Sequence, residues 1–276
     1  MRAFFLLIVA VASFAGGCGS GQPMVTESRL ERGLVIVLSG IEGRGPLNEA
    51  ICRGLDRGGV KMAIENWEWA TRMGLVINLR AEGRNRELAY DLADRIMRYK
   101  LSYPDNPVYL VGQSGGGAMA AWVAEAMPPD TPLDGIIMIA PSLSPDYMLD
   151  RALANTRNGI VNFHSEGDWM LLGLGTTLAG TMDGKHTASA GKGGFELPTR
   201  STTRRRLYGK LYQIGWNSDM AGSGHSGGHM SSAAEGFVAT YVAPLVLAED
   251  WSGGFIDRVR AGNGPSYVYR ANSSAP

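Results

Sequence analysis

The sequence has 276 residues, of which 45% are hydrophobic and 19% are charged, enough for one α/β domain with a sizeable core. The 26 Lys and Arg residues balance the 26 Asp and Glu residues, so no overall field would attract nucleic acid or an anionic membrane surface. The histidines and cysteines lack metal-ligand spacing, and we expect neither a metal ion nor another cofactor. Composition says nothing about the oligomeric state.

Arg2 is followed by an apolar run over residues 3–12 and then by small residues, a pattern typical of a signal peptide over residues 1–17. We therefore expect the protein to be exported. The small residues before Cys18 resemble a bacterial lipoprotein signal, and this resemblance implies that Cys18 is acylated and anchors the protein to a membrane. The alternative is a periplasmic or secreted protein, in which Cys18 could form a disulfide with Cys52.

Residues 18–32 are polar and are expected to form a tether. The apolar run 34–38 predicts a buried parallel strand, followed by a glycine-rich loop at 39–45. Leu47, Ile51 and Leu55 then have helical spacing, and a second strand is predicted over residues 60–64. Strand, glycine-rich loop and helix also suggest a dinucleotide site. However, the glycines occur in the order G-x-x-G-x-G, the reverse of the required motif.

Residues 67–85 fit either a long loop or a strand, and residues 86–100 have the apolar stripe of a helix. The strand-forming run 108–111 leads directly into Gly112-Gln113-Ser114-Gly115-Gly116, and an apolar helix follows. A serine at a sharp corner between strand and helix needs small neighbours, which the motif supplies. This arrangement predicts a nucleophile elbow with Ser114 at its tip.

A second G-x-S-x-G match surrounds Ser226, but it lies in a run too rich in glycine to end a regular strand. Further strands are predicted at 135–140, 160–163 and 211–216. Their alternation with helices indicates an α/β fold with a doubly wound, mostly parallel sheet and helices on both faces.

Residues 171–207 have little periodicity and are expected to form an irregular excursion, with no clear cap domain. Ser232 and Glu235 form a capping-box pattern before a helix with Phe237 on its apolar stripe. We expect the folded domain to span residues 33–248 and a tail to follow over residues 249–276.

A serine nucleophile needs a base, and a carboxylate usually orients that base. His229 precedes the last helix and is the preferred base, with His225 as the alternative; His164 and His186 are in less suitable positions. Asp168 follows the strand at 160–163 and is the preferred acid. The alternatives for the acid are Glu166, Asp219 and Asp146.

The elbow at Ser114, the loop Ser39-Gly40-Ile41, Asp168 after a later strand and His229 before the last helix together resemble the α/β-hydrolase superfamily over roughly residues 33–248. This resemblance implies an oxyanion hole formed by the N–H groups of Gly115 and Ile41. Many members have His-Gly where this chain has Ser39-Gly40.

The resemblance implies a serine hydrolase of the carboxylesterase or lipase type, acting on a small-molecule or lipid ester through an acyl-enzyme. A non-catalytic surface lipoprotein that uses the same fold for binding is the alternative. The motifs leave open whether the reaction is ester, thioester or amide hydrolysis or acyl transfer, and they do not identify the acyl chain or the leaving group.

Overall fold

The computed structural model describes residues 23–71, 74–168, 180–198 and 202–264. The predicted signal peptide and Cys18 lie outside these residues. Among the helices within them, none combines the length and the apolar character that crossing a membrane requires.

A single six-stranded sheet forms the centre of the described fold, with the strand order β2-β1-β3-β4-β5-β6 and parallel pairing throughout. The strands are β1 (Leu34–Leu38), β2 (Ala63–Trp67), β3 (Val108–Gln113), β4 (Gly135–Ile139), β5 (Ile160–His164) and β6 (Leu211–Gly215). Because all strands run the same way, their carboxyl ends meet at one edge, where ligand sites of open α/β sheets lie. The predicted parallel α/β sheet is confirmed.

Helices cover both faces of the sheet, and successive side chains of β1 enter two separate cores. Leu34, Ile36 and Leu38 pack on one face, and Val35 and Val37 pack on the other. The helices in chain order are α1 (Glu27–Leu30), α2 (Pro46–Arg57), α3 (Leu75–Arg80), α4 (Glu82–Ser102), α5 (Gly115–Ala126), α6 (Asp150–Ala154), α7 (Ala190–Gly193), α8 (Thr202–Leu207), α9 (Glu235–Phe237), α10 (Ala243–Leu247) and α11 (Gly253–Arg260).

Two elements differ from the sequence expectation on the β2 side of the sheet. Strand β2 begins at Ala63 and not at residue 60, because Val60 N–H still bonds to Leu55 O and closes the end of α2. The ambiguous region contains α3, a helix that neither expected alternative described. Its buried Asn78 bonds to the glycine-rich loop after β1.

The packed part of the chain extends beyond residues 33–248 at both ends. Ile64 N–H donates to Met24 O, which joins the expected tether to β2. After residue 248, Trp251 is buried against the sheet and α11 buries Phe255, Ile256 and Val259. The segment after residue 248 has few apolar residues, but these residues pack together against one face of the sheet.

The region before the last helices also departs from its predicted form. Ser232 does not cap a helix: its hydroxyl donates to His229 O within the 3-10 helix Met230–Ala233. Helix α9 begins at Glu235, and the π-helical turn Val238–Val242 joins it to α10. His229 is therefore followed by a 3-10 turn and then by a helix with a π-helical segment.

Candidate active site

Ser114 occupies a sharp corner between β3 and α5. It has φ 56° and ψ −119° and is 1% exposed. A positive φ is unfavourable for a residue with a side chain and persists only when its surroundings enforce it. The elbow predicted from the motif is therefore present at the carboxyl edge of the sheet.

The glycines around Ser114 are required by close backbone contacts. A Cβ atom at Gly112 would lie 2.2 Å from Gly116 O, and one at Gly116 would lie 2.1 Å from Leu38 O. Both distances are far below van der Waals contact with atoms that cannot move independently. Strand β3, helix α5 and strand β1 can approach each other only because these two side chains are absent.

His229 and Asp168 form a buried acid–base pair. His229 Nδ1 lies 2.7 Å from Asp168 Oδ1, and the two side chains are 10% and 3% exposed, respectively. Because a carboxylate accepts hydrogen bonds, Nδ1 carries the proton and Nε2 is left as the acceptor of the neutral ring. The preferred base and the preferred acid from the sequence are thus in direct contact.

The loops that carry these two residues are tied to each other. Ser165 Oγ donates to Gly227 O over 2.6 Å, and Asp168 N–H closes a turn onto Ser165 O. A Cβ at Gly167 would lie 3.1 Å from Gly227 O, so the two loops pass close together at glycines. This contact fixes the acid relative to the base.

The acceptor atom of His229 contacts the side chain of Gln113, the residue before Ser114. Gln113 Nε2 lies 3.2 Å from His229 Nε2, and the Gln113 side chain is fully buried. Gln113 Oε1 has no hydrogen-bond partner among the described residues. The amide therefore donates to the lone pair of the imidazole, and this bond must be released before Nε2 can accept a proton from Ser114.

The two expected oxyanion donors are neighbours. A Cβ at Gly115 would lie 3.3 Å from Ile41 N, which places the loop after β1 directly against the start of α5. Within the described part of the chain, neither the Ile41 N–H nor the Gly115 N–H has a hydrogen-bond partner. Two adjacent unpaired N–H groups are suited to bind a negatively charged oxygen.

Side chains from outside the loop fix its backbone. Trp69 Nε1 donates to Ser39 O over 2.7 Å, and Asn78 Nδ2 donates to Ile41 O over 2.8 Å. Gly43 N–H donates to Gly40 O and so orients the peptide that contains the Ile41 N–H. Each carbonyl of the segment 39–41 therefore has a donor, which leaves the loop little freedom to turn.

The other histidines have different environments. His225 is buried, its Nδ1 lies 3.2 Å from Ser231 Oγ, and its ring packs edge-on against Phe237. Burial lowers the pKa of His225 to about 4, against an opposing effect of Asp168. The structure thus brings His229, and not the alternative base His225, into contact with Asp168. His164 lies at the end of β5, where burial lowers its pKa, and His186 is exposed.

The alternative acids and the second motif lie elsewhere. Glu166 and Asp219 are exposed, and Asp146 pairs with Lys185 over 2.6 Å. Ser226 is exposed in a loop and follows no strand.

Cys52 is buried on α2, and burial raises the pKa of its thiol to about 12, so it is protonated at neutral pH. In the described ranges no cluster of three or more His, Cys, Asp or Glu side chains could hold a metal ion.

Sequence reasoning missed the roles of Gln113, Trp69 and Asn78. Gln113 occupies a variable position of the elbow motif, and its place next to Ser114 was the one available signal. Trp69 and Asn78 lie 30 and 37 positions from the carbonyls that they bind, and no local pattern marks such a contact.

A solved lipase structure supports the architecture. No protein-family model and no curated protein matches the chain. Among solved structures, it is similar to Aspergillus fumigatus lipase B, with 12% identity, a TM-score of 0.50 and coverage of 87% of this chain. The match spans 58% of the lipase chain. A poly(3-hydroxybutyrate) depolymerase from Bordetella parapertussis matches with 14% identity, a TM-score of 0.49 and coverage of 83% of this chain and 85% of that chain.

At these identities the similarity concerns the fold. The parallel sheet with its strand order, the helices on both faces and the likeness to the lipase structure give the chain an α/β-hydrolase fold. The predicted fold class is confirmed.

Proposed function

We propose that the protein is a serine hydrolase that cleaves a carboxylic ester. The observation that carries the proposal is the buried contact between His229 Nδ1 and Asp168 Oδ1, with His229 Nε2 in contact with Gln113, the residue before Ser114. A buried carboxylate that fixes the imidazole tautomer beside a strained serine is the arrangement that a serine nucleophile needs.

In the proposed reaction, the Gln113 amide first releases the lone pair of His229 Nε2. Ser114 Oγ then attacks the ester carbonyl, and His229 Nε2 accepts the hydroxyl proton. Asp168 accepts the Nδ1–H hydrogen bond throughout and stabilises the imidazolium that forms. His229 then protonates the departing alkoxide, and the acyl group remains on Ser114. A water molecule, deprotonated by His229, attacks the acyl-enzyme and releases the acid.

The oxyanion is assigned to the N–H groups of Ile41 and Gly115. Their proximity and their lack of partners within the described residues support this role. Preorganised donors stabilise charge that develops in the transition state without having to reorient, and the loss of one donor typically costs about 3–4 kcal/mol in the barrier. The bonds from Trp69 and Asn78 to this loop supply the preorganisation.

The test is Ser114→Ala in the purified protein, assayed with nitrophenyl esters of increasing acyl length and with a fluorophosphonate probe. We expect turnover to fall by on the order of a millionfold and labelling to disappear, because the nucleophile is absent. Mass spectrometry of the labelled wild-type protein should place the adduct on the peptide that contains Ser114.

Ser226→Ala is the matched control, because Ser226 has the same motif but lies in an exposed loop. It should keep full activity and labelling. Labelling that survives in Ser114→Ala and is lost in Ser226→Ala would contradict the assignment. A wild-type protein that neither turns over esters nor reacts with the probe would instead favour the binding-protein alternative.

We also propose that the protein is exported and is acylated at Cys18, which rests on the sequence of the leader alone. Metabolic labelling with a radioactive fatty acid tests this in a bacterial host. Label should enter the wild-type protein and not Cys18→Ser, while export of an unlabelled wild-type protein would show simple secretion.

A further inference from the structure

Glu42 is the charged residue closest in sequence to the proposed oxyanion loop. It follows Ile41 directly, and its carboxylate folds back over Gly40: a Cβ built on Gly40 would lie 2.2 Å from Glu42 Oε2 and 2.8 Å from Oε1. The carboxylate therefore fills the space that a side chain at Gly40 would need. This position puts a negative charge on the loop that carries the Ile41 N–H.

The surroundings of Glu42 connect it to the base. Glu42 is exposed as a whole, but its carboxyl end lies against Gly40, and the partial loss of solvent there raises the pKa of Glu42. The N–H groups of Glu42 and Gly40 and the charge of His229 act against this rise. Glu68 adds a second negative charge nearby, and its carboxylate accepts from Arg44 N–H over 2.9 Å. The charge of Arg44 lowers the pKa of Cys52, and Arg44 is not among the main influences on the pKa of Glu42.

The field at this side of the site is therefore negative while His229 is neutral. The Glu42 carboxylate lies against Gly40, whose carbonyl shares a peptide with the Ile41 N–H. A charge beside a partly buried site interacts with substrate charges more strongly than a charge in open solvent does. This field stabilises bound esters that carry a cation close to the reacting carbonyl, and it destabilises bound esters that carry an anion there.

We propose that Glu42 is a specificity determinant of the site, which favours esters bearing a positive charge near the carbonyl over their uncharged and anionic counterparts. The inference rests on the proposed ester hydrolysis by Ser114. It names the substrate class that the sequence motifs left open.

The experiment compares matched esters that differ only in charge. Acetylcholine and 3,3-dimethylbutyl acetate place the cation or its carbon isostere on the alcohol side. Ethyl 4-(trimethylammonio)butyrate and ethyl 5,5-dimethylhexanoate do the same on the acyl side. The readout is the ratio of kcat/KM for the cationic ester to that for its neutral isostere, measured at pH 8 and low salt.

In the wild-type protein this ratio should exceed one for at least one pair, and Glu42→Gln should lower it by about tenfold, the size of one partly screened charge interaction. Glu42→Asp keeps the charge and should keep most of the ratio. Salt at 1 M should bring the wild-type ratio toward that of Glu42→Gln. Glu49→Gln removes the same charge from the exposed side of α2 and should leave the ratio unchanged.

The ratio separates selectivity from general damage. Loss of the Glu42 charge also removes its attraction to the imidazolium and its repulsion of the oxyanion. Both effects act on all esters alike and therefore cancel in the ratio. Equal ratios in wild-type and Glu42→Gln proteins for both pairs would overturn the inference while neutral-ester hydrolysis still supports the enzyme. Absence of all hydrolysis and of fluorophosphonate labelling in the wild-type protein would overturn both.

Discussion

Asp168 holds His229 through a 2.7 Å contact between Oδ1 and Nδ1 that is almost closed to solvent. The two residues are 61 positions apart, and the Ser165–Gly227 hydrogen bond ties their loops together. The consequence is a single tautomer of the imidazole, with its acceptor nitrogen in contact with Gln113, the residue before Ser114.

Asp168→Asn should lower kcat/KM for esters by about 10⁴-fold at neutral pH. An amide can donate to Nδ1, which moves the ring proton to Nε2, where it blocks proton transfer from Ser114. The orphan Oε1 of Gln113 would then accept this proton if the Gln113 amide turned over, and so would stabilise the wrong tautomer. Steady-state ester hydrolysis and the rate of fluorophosphonate labelling should fall together.

Glu166→Gln is the control for this change, because Glu166 lies two residues earlier and is exposed. Its activity should remain within about threefold of the wild-type value, as is usual for a surface substitution. A large loss in Glu166→Gln with activity retained in Asp168→Asn would assign the acid to Glu166.

His225 should make the protein less stable in acid. Its pKa is about 4 in the fold, against 6.5 for an unperturbed histidine, because burial disfavours the charged ring. Between these two values the unfolded chain binds more protons than the folded one, so the free energy of unfolding decreases as the pH falls from about 6.5 to about 4. The total loss from this group is on the order of 3 kcal/mol.

His225→Asn removes this titration and keeps a polar atom near Ser231. Urea unfolding at pH 4.5, 5.5, 6.5 and 7.5 should show a stability difference between wild type and variant that changes across this window. The exposed His186→Asn should behave like the wild type. A stability difference between wild type and His225→Asn that stays constant from pH 4.5 to pH 7.5 would contradict this prediction, because it would mean that His225 has the same pKa in the folded and the unfolded protein.

The part of the site that could be predicted from the sequence is the part with local signatures. Ser114 lies between a strand-forming run and an apolar helix, and the order of Ser114, Asp168 and His229 along the chain matched a known arrangement. The roles of Asn78 and Gln113 depend on contacts between distant segments. The capping pattern at Ser232 misled, because the Ser232 hydroxyl bonds to His229 O in a tight turn and not to a helix N-terminus.

Asn78→Ala should damage catalysis beyond its effect on stability. Asn78 is buried, and its amide bonds to both Ile41 O and Thr71 O, so its loss should cost about 2–3 kcal/mol in the free energy of unfolding. Without the bond from Asn78, the loop that carries the Ile41 N–H can move. We expect kcat to fall by about 10- to 100-fold with little change in KM, because the Ile41 N–H acts mainly in the transition state.

Asn85→Ala is the matched control, since Asn85 is equally buried and bonds to Asn78 O, and its side-chain hydrogen bonds within the described residues do not reach the loop. We expect a similar loss of stability and a fall in kcat of less than about threefold, measured by urea unfolding and ester kinetics below the unfolding transition. Equal effects of the two substitutions on kcat would mean that the loop does not depend on the bond to Ile41.

Gly116→Ala should prevent the elbow from forming, whereas Gly83→Ala should stabilise the protein. A methyl group on Gly116 would lie 2.1 Å from Leu38 O, an atom of the central strand β1, so strand and helix must separate at a cost of more than about 4 kcal/mol. Gly83 lies on the exposed side of α4 with no atom within 4 Å of its Cβ position, and alanine there should add about 0.5–1 kcal/mol through helix propensity. Thermal unfolding of both variants gives opposite shifts if the close approach at Gly116 holds the corner in place. A Gly116→Ala protein that unfolds near the wild-type temperature and retains labelling at Ser114 would show that β1 and α5 are not in contact there.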